Sequence, residues 1–392
     1  MRKHQREDLA MDEAALYRLC DYILRETKEP LAAFFLSDGT VRLGIGRAAN
    51  KTKTKFFATP FDPVSAPKKK NQIWQSATQH EFAPRHCIAG KLGDELSMQS
   101  EDMDALRSIL AAADEAANEY AKRDSWKIEE DRKGWNKLCL VAAEEITAGR
   151  IEKLVPARFL QLRGGELIWK NYFSRLRESS GANTHRFIWR MKEEVFFGAS
   201  PELLLRVDGE KIFVPAIAGT RAYRGDAEAA SRELLSSEKE AREHAHVVRD
   251  IVETLTALGM KPDAPKNPEL LVLKNLVHLF TPIEATLDKG ISIFTIAKHL
   301  HPTPAMGGFP KKESVKLLGE HENWDRGYYA SPLGFVDENG SGAFVVGIRS
   351  ALFTKDCVTL FAGAGYVRGS SADAEWKETR AKMQSMLGVF EL

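Results

Sequence analysis

From Ile151 onward, short β-rich runs alternate with long amphipathic helical stretches, and polar turns separate them. This alternation constrains the chain more than any other feature, because strands and helices must share one interior. Leu203–Val207 and Lys211–Ile217 read as strands, with Asp208-Gly209-Glu210 between them as a tight hairpin turn. Ala343–Ser350 and Val358–Ala362 have the same β-rich texture. The clearest helix opens at Ser237, where Ser237-Glu238-Lys239-Glu240 has the form of a capping box. It continues with Ala245, Val248, Ile251, Val252, Leu255 and Leu258 on one face until Gly259. A second helix is expected from about Ala372 to Val389.

The stretch from Met1 to about Ala148 is less regular. It holds a strand-like Leu31–Leu36, basic tracts at Lys51–Lys55 and Lys68–Lys70, and a helical run through Met103–Arg123. The tracts lack interleaved aromatics, and the 392-residue chain as a whole is neutral, with 56 Lys+Arg against 55 Asp+Glu. Solvated loops are therefore expected, not a nucleic-acid surface. A hydrophobic content of 43% is enough for a large core. No apolar run reaches the ~18–20 residues of a membrane span, and Met1–Arg6 leads into acidic residues instead of a signal core, so a cytoplasmic protein is expected. Cys20, Cys87, Cys139 and Cys357 lie far apart without a Cys-x-x-Cys, which suggests neither a disulfide framework nor a zinc site; any metal would be held by oxygen. With no repeat of fixed period and no low-complexity linker, a division near residue 150 need not be a domain boundary.

Glu240 and Glu243 are three residues apart on the capped helix, and Glu375 and Glu378 repeat that spacing on the terminal one, with Lys382 a further turn on. Two carboxylates on each of two helices suit a hard cation such as Mg2+, although Glu-x-x-Glu alone is also the pattern of an ordinary exposed face. Other segments add weight. Phe197-Gly198-Ala199-Ser200-Pro201-Glu202 puts an acid ahead of the hairpin, and Ala216-Ile217-Ala218-Gly219-Thr220-Arg221 ends a strand in small residues. His301-Pro302-Thr303-Pro304-Ala305-Met306-Gly307-Gly308 is a rigid loop, and Phe361-Ala362-Gly363-Ala364-Gly365 follows a strand with amides suited to an anion.

Taken in order over residues 153 to 382, these segments resemble the catalytic domain of the chorismate-utilising enzymes. Asp325-Arg326-Gly327-Tyr328-Tyr329 and Ile348-Arg349 belong to the same match. The resemblance implies an α/β (α+β) fold: one large domain over residues 1–392 with two packed β-sheets flanked by helices. Residues 1–148 would be a divergent part adding strands to it, and 150–392 the motif-bearing part.

Members of this family differ in the nucleophile. Ala218 stands where the aminodeoxychorismate-forming branch has a lysine, and Lys153 stands where ammonia-using members such as anthranilate synthase component I have glutamine. The resemblance thus implies isochorismate synthase activity: Mg2+-dependent conversion of chorismate to isochorismate, with water attacking C2 and the C4 hydroxyl leaving. A neutral Lys153 amine would serve as base and a protonated Glu202 as acid. Glu243 and Glu378, with Glu240 and Glu375, would hold Mg2+. Arg349 would bind the enolpyruvyl carboxylate. Gly219, Thr220, Ala305, Gly363 and Lys382 would complete the substrate pocket, Tyr329, Met306, Ile348 and Phe361 would line it, and His278 would orient groups there. Pyruvate elimination to salicylate in the same pocket is the nearest alternative, and a non-catalytic chorismate-binding relative is a further one. The expected partner is chorismate alone, for a monomer without a glutamine amidotransferase subunit, a nucleic acid or a membrane. The product would feed menaquinone or a siderophore, with Gly307-Gly308 leaning to menaquinone. The sequence departs from the family pattern at Pro156-Ala157, at Met306 and at Ser331.

Overall fold

The strand Leu31–Phe35 is buried along its whole length, and its two faces enter different cores. Leu31, Ala33 and Phe35 pack with Leu16, Tyr17 and Ile23 of the helix Glu13–Glu26 and share a cluster with Met383, Met386 and Leu387 of the helix Ala372–Val389. Ala32 and Phe34 point the other way, into a cluster with Phe56, Leu333, Phe335 and Val345. Successive side chains of a strand alternate between faces, so a strand apolar at every position needs cover on both sides. Helices cover one face here, and a second sheet covers the other.

The computed structural model describes residues 5–48, 54–61, 80–115, 126–164, 169, 171–223, 226–272, 276–288 and 290–392. Among these, eleven strands form one sheet and eight another, and the central ladders of both are antiparallel. In the larger sheet Leu31–Phe35 pairs with His185–Met191, and the order continues through Glu194–Ser200, Ser350–Phe353, Val358–Gly363 and Ala157–Arg163. In the smaller one Lys55–Ala58 pairs with Pro332–Val336. Strands from the irregular first part thus extend both sheets. The outer face of the smaller sheet packs on Val247, Ile251 and Leu255 of the helix Glu238–Ala257 and on Ile293, Ile296 and Leu300 of the helix Ile293–Leu300. The result is a mixed α/β fold of two packed sheets with helices outside. No helix among the described residues is long and apolar enough to cross a membrane.

Local readings hold where the signal is local. Asp208 pairs with Lys211 across Gly209, whose φ of +59° fits the expected hairpin turn. Ser237 caps the helix Glu238–Ala257 by accepting from the Glu240 amide at 3.4 Å. That helix buries His244 and Val247 and leaves Ala245 exposed, a small rotation of the face read from the sequence. One reading is corrected. Ala343–Ser350 is not one strand: Gly342–Val346 ends in the smaller sheet and Ser350–Phe353 begins in the larger. Gly347-Ile348-Arg349 crosses between them; the backbone passes so near Tyr328 that a side chain at Gly347 would come within 2.5 Å of its carbonyl oxygen, and Arg349 takes a left-handed φ of +51°. The helix beginning at Met103 is described to Glu115, and residues 116–123 of the expected run lie outside the described residues. So do 51–53 and 68–70 of the basic tracts; Lys55 opens a strand and pairs with Glu81 at 2.7 Å.

Candidate active site

Lys153 lies on the two-residue strand Lys153–Leu154, the middle member of a small third sheet. On one side it pairs with Gly308–Phe309, at the end of the Pro-rich loop, and on the other with Tyr366–Val367, just beyond the Gly-Ala-Gly segment. Gly365 leaves room for the lysine stem, since a Cβ there would sit 3.0 Å from Lys153 Cε. The Lys153 ammonium donates to Glu243 Oε1 at 2.5 Å.

Glu202 follows the strand Glu194–Ser200. The fully buried Ser200 fixes its backbone: Ser200 Oγ accepts from the Glu202 amide at 3.1 Å and donates to the Glu202 carbonyl at 3.3 Å. Loss of hydration pushes the Glu202 carboxyl up to about 7, against the pull of the Lys153 and then the Lys382 ammonium.

A β-bulge shapes the adjoining wall. Between Ala218 and Thr220 the register with the strand Leu276–Thr286 shifts, and Gly219 takes a φ of +77°. The strand read as Lys211–Ile217 in fact runs from Lys211 to Ala222 through this bulge. Thr220 Oγ1 meets His278 Nδ1 at 2.8 Å, and the Thr220 amide donates to Glu240 Oε2 at 3.2 Å.

The opposite wall comes from the terminal helix and the loops beside it. Lys382 donates to Glu378 at 2.7 Å and to the Gly363 carbonyl at 2.9 Å. At Gly363, then, the carbonyl carries a described contact, and the neighbouring Ala364 amide is already committed to Pro156 O at 3.1 Å. Burial raises the Glu375 carboxyl, a hydrogen bond from Ser370 opposes it, and the nearby Glu378 charge adds to it. Burial also lowers Arg349, while Tyr329 and Glu378 favour its charge.

These walls enclose a cavity of about 500 Å3, in the range of small-molecule sites. Lys153, Glu202, Gly219, Thr220, His278, Ala305, Arg349, Gly363 and Lys382 line it, as do Glu243, Glu375 and Glu378. Of the residues expected at the site, Glu240 is not among those lining the cavity. Three carboxylates from two helices line the cavity and could supply oxygen donors of the kind Mg2+ takes. Among the described residues no three acidic, His or Cys side chains already stand together as a ready cluster. A cation would exchange with the lysine contacts on Glu243 and Glu378.

The family model described as chorismate binding enzyme matches residues 70–391. The chain is a member of the chorismate-binding enzyme family. A salicylate-biosynthesis isochorismate synthase of Pseudomonas aeruginosa is 36% identical over 260 residues, 66% of this chain and 54% of that protein. Isochorismate synthase MenF of Bacillus subtilis is 35% identical over 263 residues, 66% of this chain and 56% of its own. The chain spans little more than half the length of these curated relatives. The solved menaquinone-specific isochorismate synthase MenF from Escherichia coli matches 100% of this chain and 95% of its own, with a TM-score of 0.79 at 22% identity, a likeness of fold.

In this chorismate-binding enzyme two residues support the site without having been singled out from the sequence. Arg326 is buried, donates to the Val155 and Met306 carbonyls at 2.7 and 2.9 Å, and is bound in turn by Glu322. It ties the Lys153 segment to the Pro-rich loop. His244 contacts the Ala218 carbonyl at 3.2 Å and Thr281 Oγ1 at 2.7 Å, which fixes the helix turn that carries Glu243. Arg326 lay inside a recognised segment, but the value of both residues rests on partners far away in the chain. Two of the departures from the family pattern have definite places: Met306 lines the cavity, and Ser331 is fully buried with its hydroxyl on the Gly327 carbonyl at 3.1 Å.

Proposed function

We propose that the protein is an isochorismate synthase, converting chorismate to isochorismate with Mg2+. The observation that carries this reading is that Lys153 and Glu202, whose carboxyl burial pushes up to about 7, line one cavity beside Ala218, which supplies no amine. Water attacks ring carbon C2 and gives a proton to Lys153. The ring double bonds shift, the C4–oxygen bond breaks, and Glu202 protonates the departing hydroxyl so that it leaves as water and not as hydroxide. One water enters and one leaves, so the reaction is an isomerisation.

Arg349 and Lys382 offer positive charge to a substrate with two carboxylates, and the guanidinium fork suits the enolpyruvyl carboxylate. Thr220 and His278, already hydrogen-bonded to each other, orient groups at the cavity wall. Glu243, Glu375 and Glu378 would hold Mg2+, which would supply the charge that anchors the ring carboxylate. Glu240 contributes by fixing the Thr220 backbone.

The test is to incubate purified protein with chorismate and Mg2+ and to quantify isochorismate, salicylate and pyruvate by chromatography. Isochorismate without matching pyruvate is expected. Stoichiometric pyruvate with salicylate, or anthranilate formed when ammonium salts are added, would replace this reading with another branch of the family.

A further inference from the structure

Glu202 borders a second cavity as well as the main one. This satellite measures about 20 Å3, room for one water molecule. Leu204, Val214, Ile217, Val247, Ile251 and Leu300 give it apolar walls, and among the described residues lining it Glu202 and Thr303 alone carry polar side chains. Thr303 is 7% exposed, and its hydroxyl is buried with no hydrogen-bond partner among the described residues. Its carbonyl is well used, accepting from the Met306 and Gly307 amides at 2.9 Å, so the residue is held firmly while its hydroxyl lacks a protein partner. A buried hydroxyl is ordinarily paired with protein or with ordered water, and a polar site of this size is where such a water belongs.

We propose that the satellite cavity is a water site, and that the water bridges Thr303 Oγ1 and the Glu202 carboxyl, which makes Thr303 the positioning residue for the acid. The inference rests on Glu202 acting as the proton donor in the reading above. The bridging water donates to one carboxyl oxygen and so leaves the other, with its proton, turned to the main cavity. When the Glu202 O–H bond breaks and the departing hydroxyl becomes water, the same hydrogen bond supports the new carboxylate where bulk solvent is excluded. The bridging water keeps both its protons. Thr303 therefore acts on the proton-transfer step and not on substrate binding.

Two measurements test this. A crystal structure of the wild-type protein, at a resolution where ordered waters are seen, should show density within hydrogen-bond reach of both Thr303 Oγ1 and Glu202, and Thr303→Val should lose it. In steady-state kinetics with chorismate and Mg2+, Thr303→Val should lower kcat by about tenfold with KM little changed, while Thr303→Ser keeps kcat within about twofold, as expected for a residue that orients a general acid. A dry satellite cavity in the wild type, or Thr303→Val with wild-type kcat, overturns the proposal. Should the protein prove inactive towards chorismate, the isochorismate reading fails, and the density still decides the water site by itself.

Discussion

The Lys153 ammonium lies 2.5 Å from Glu243 Oε1, which joins the proposed base directly to a proposed metal ligand. The two duties compete. The carboxylate occupies the amine that would receive a proton, and the ammonium occupies the oxygen that would ligate a cation. A cation at Glu243 would relieve both at once, which links metal loading to readiness of the base.

Lys153→Met keeps the stem beside Gly365 and removes the amine. Turnover of chorismate should fall by ~10²–10⁴, the usual contribution of general base catalysis. Calorimetric titration with chorismate should still show binding in the presence of Mg2+. Near wild-type turnover would remove Lys153 as the base.

Glu202 supplies a pH test with a defined sign. Its carboxyl is held up to about 7, so the acid is present below that pH and kcat/KM should decline as pH rises through it. The same shift has a stability cost. The cost is absent below the unfolded value of about 4.3, grows as pH rises from there, and is complete above the folded value. Glu202→Gln should therefore stabilise the protein by up to ~3 kcal/mol at pH 8 while abolishing turnover, and have little effect on stability at pH 4. A lower melting temperature at pH 8 would contradict this account.

Magnesium should raise the melting temperature of the wild type by mass action, equivalent to ~2.7 kcal/mol at a hundredfold excess over the dissociation constant. Glu243→Gln and Glu378→Gln should each shrink that rise, and EDTA should stop turnover of the wild type. Glu240→Gln should keep most of the rise, because its carboxylate is on the Thr220 amide. Equal shifts in all three variants would place the metal elsewhere.

Gly308 takes a φ of +128°, and a methyl group there would collide with the Lys153 carbonyl oxygen. Gly308→Ala should cost about 2–4 kcal/mol in urea denaturation, since both backbone strain and steric conflict must be relieved. It should also lower kcat in whatever fraction folds, because the conflict falls on the strand that carries Lys153, the proposed base. An unchanged kcat would show that this strand tolerates displacement.

Much of the site was legible because its residues sit in short, chemically distinctive segments. The Ser237 cap and the Gly209 turn are local events; the turn is placed as read, and the cap forms from the Ser237 side. The reciprocal half of the box is absent, because the Ser237 amide donates to the Leu234 carbonyl and the Glu240 carboxylate accepts from the Thr220 amide. Harder to see were features set by distant partners. Leu31–Phe35 finds its sheet neighbour at His185–Met191, which no local pattern announces. Arg349 looked like part of a strand because the residues before it are β-branched or apolar, yet the run ends at Val346, the backbone at Gly347 passes too near Tyr328 for a side chain, and Arg349 lines the cavity. Glu240 shares its spacing with Glu243, but the bulge at Gly219 offers it a backbone amide instead.

The small sheet around Lys153 has one further consequence, for the order of folding. Its two neighbours, Gly308–Phe309 and Tyr366–Val367, lie far downstream in sequence, so the strand between them gains its register after two long loops have closed. The proposed base is consequently aligned only after these distant segments have met, and recovery of turnover during refolding should lag behind recovery of helical signal from segments such as Glu238–Ala257.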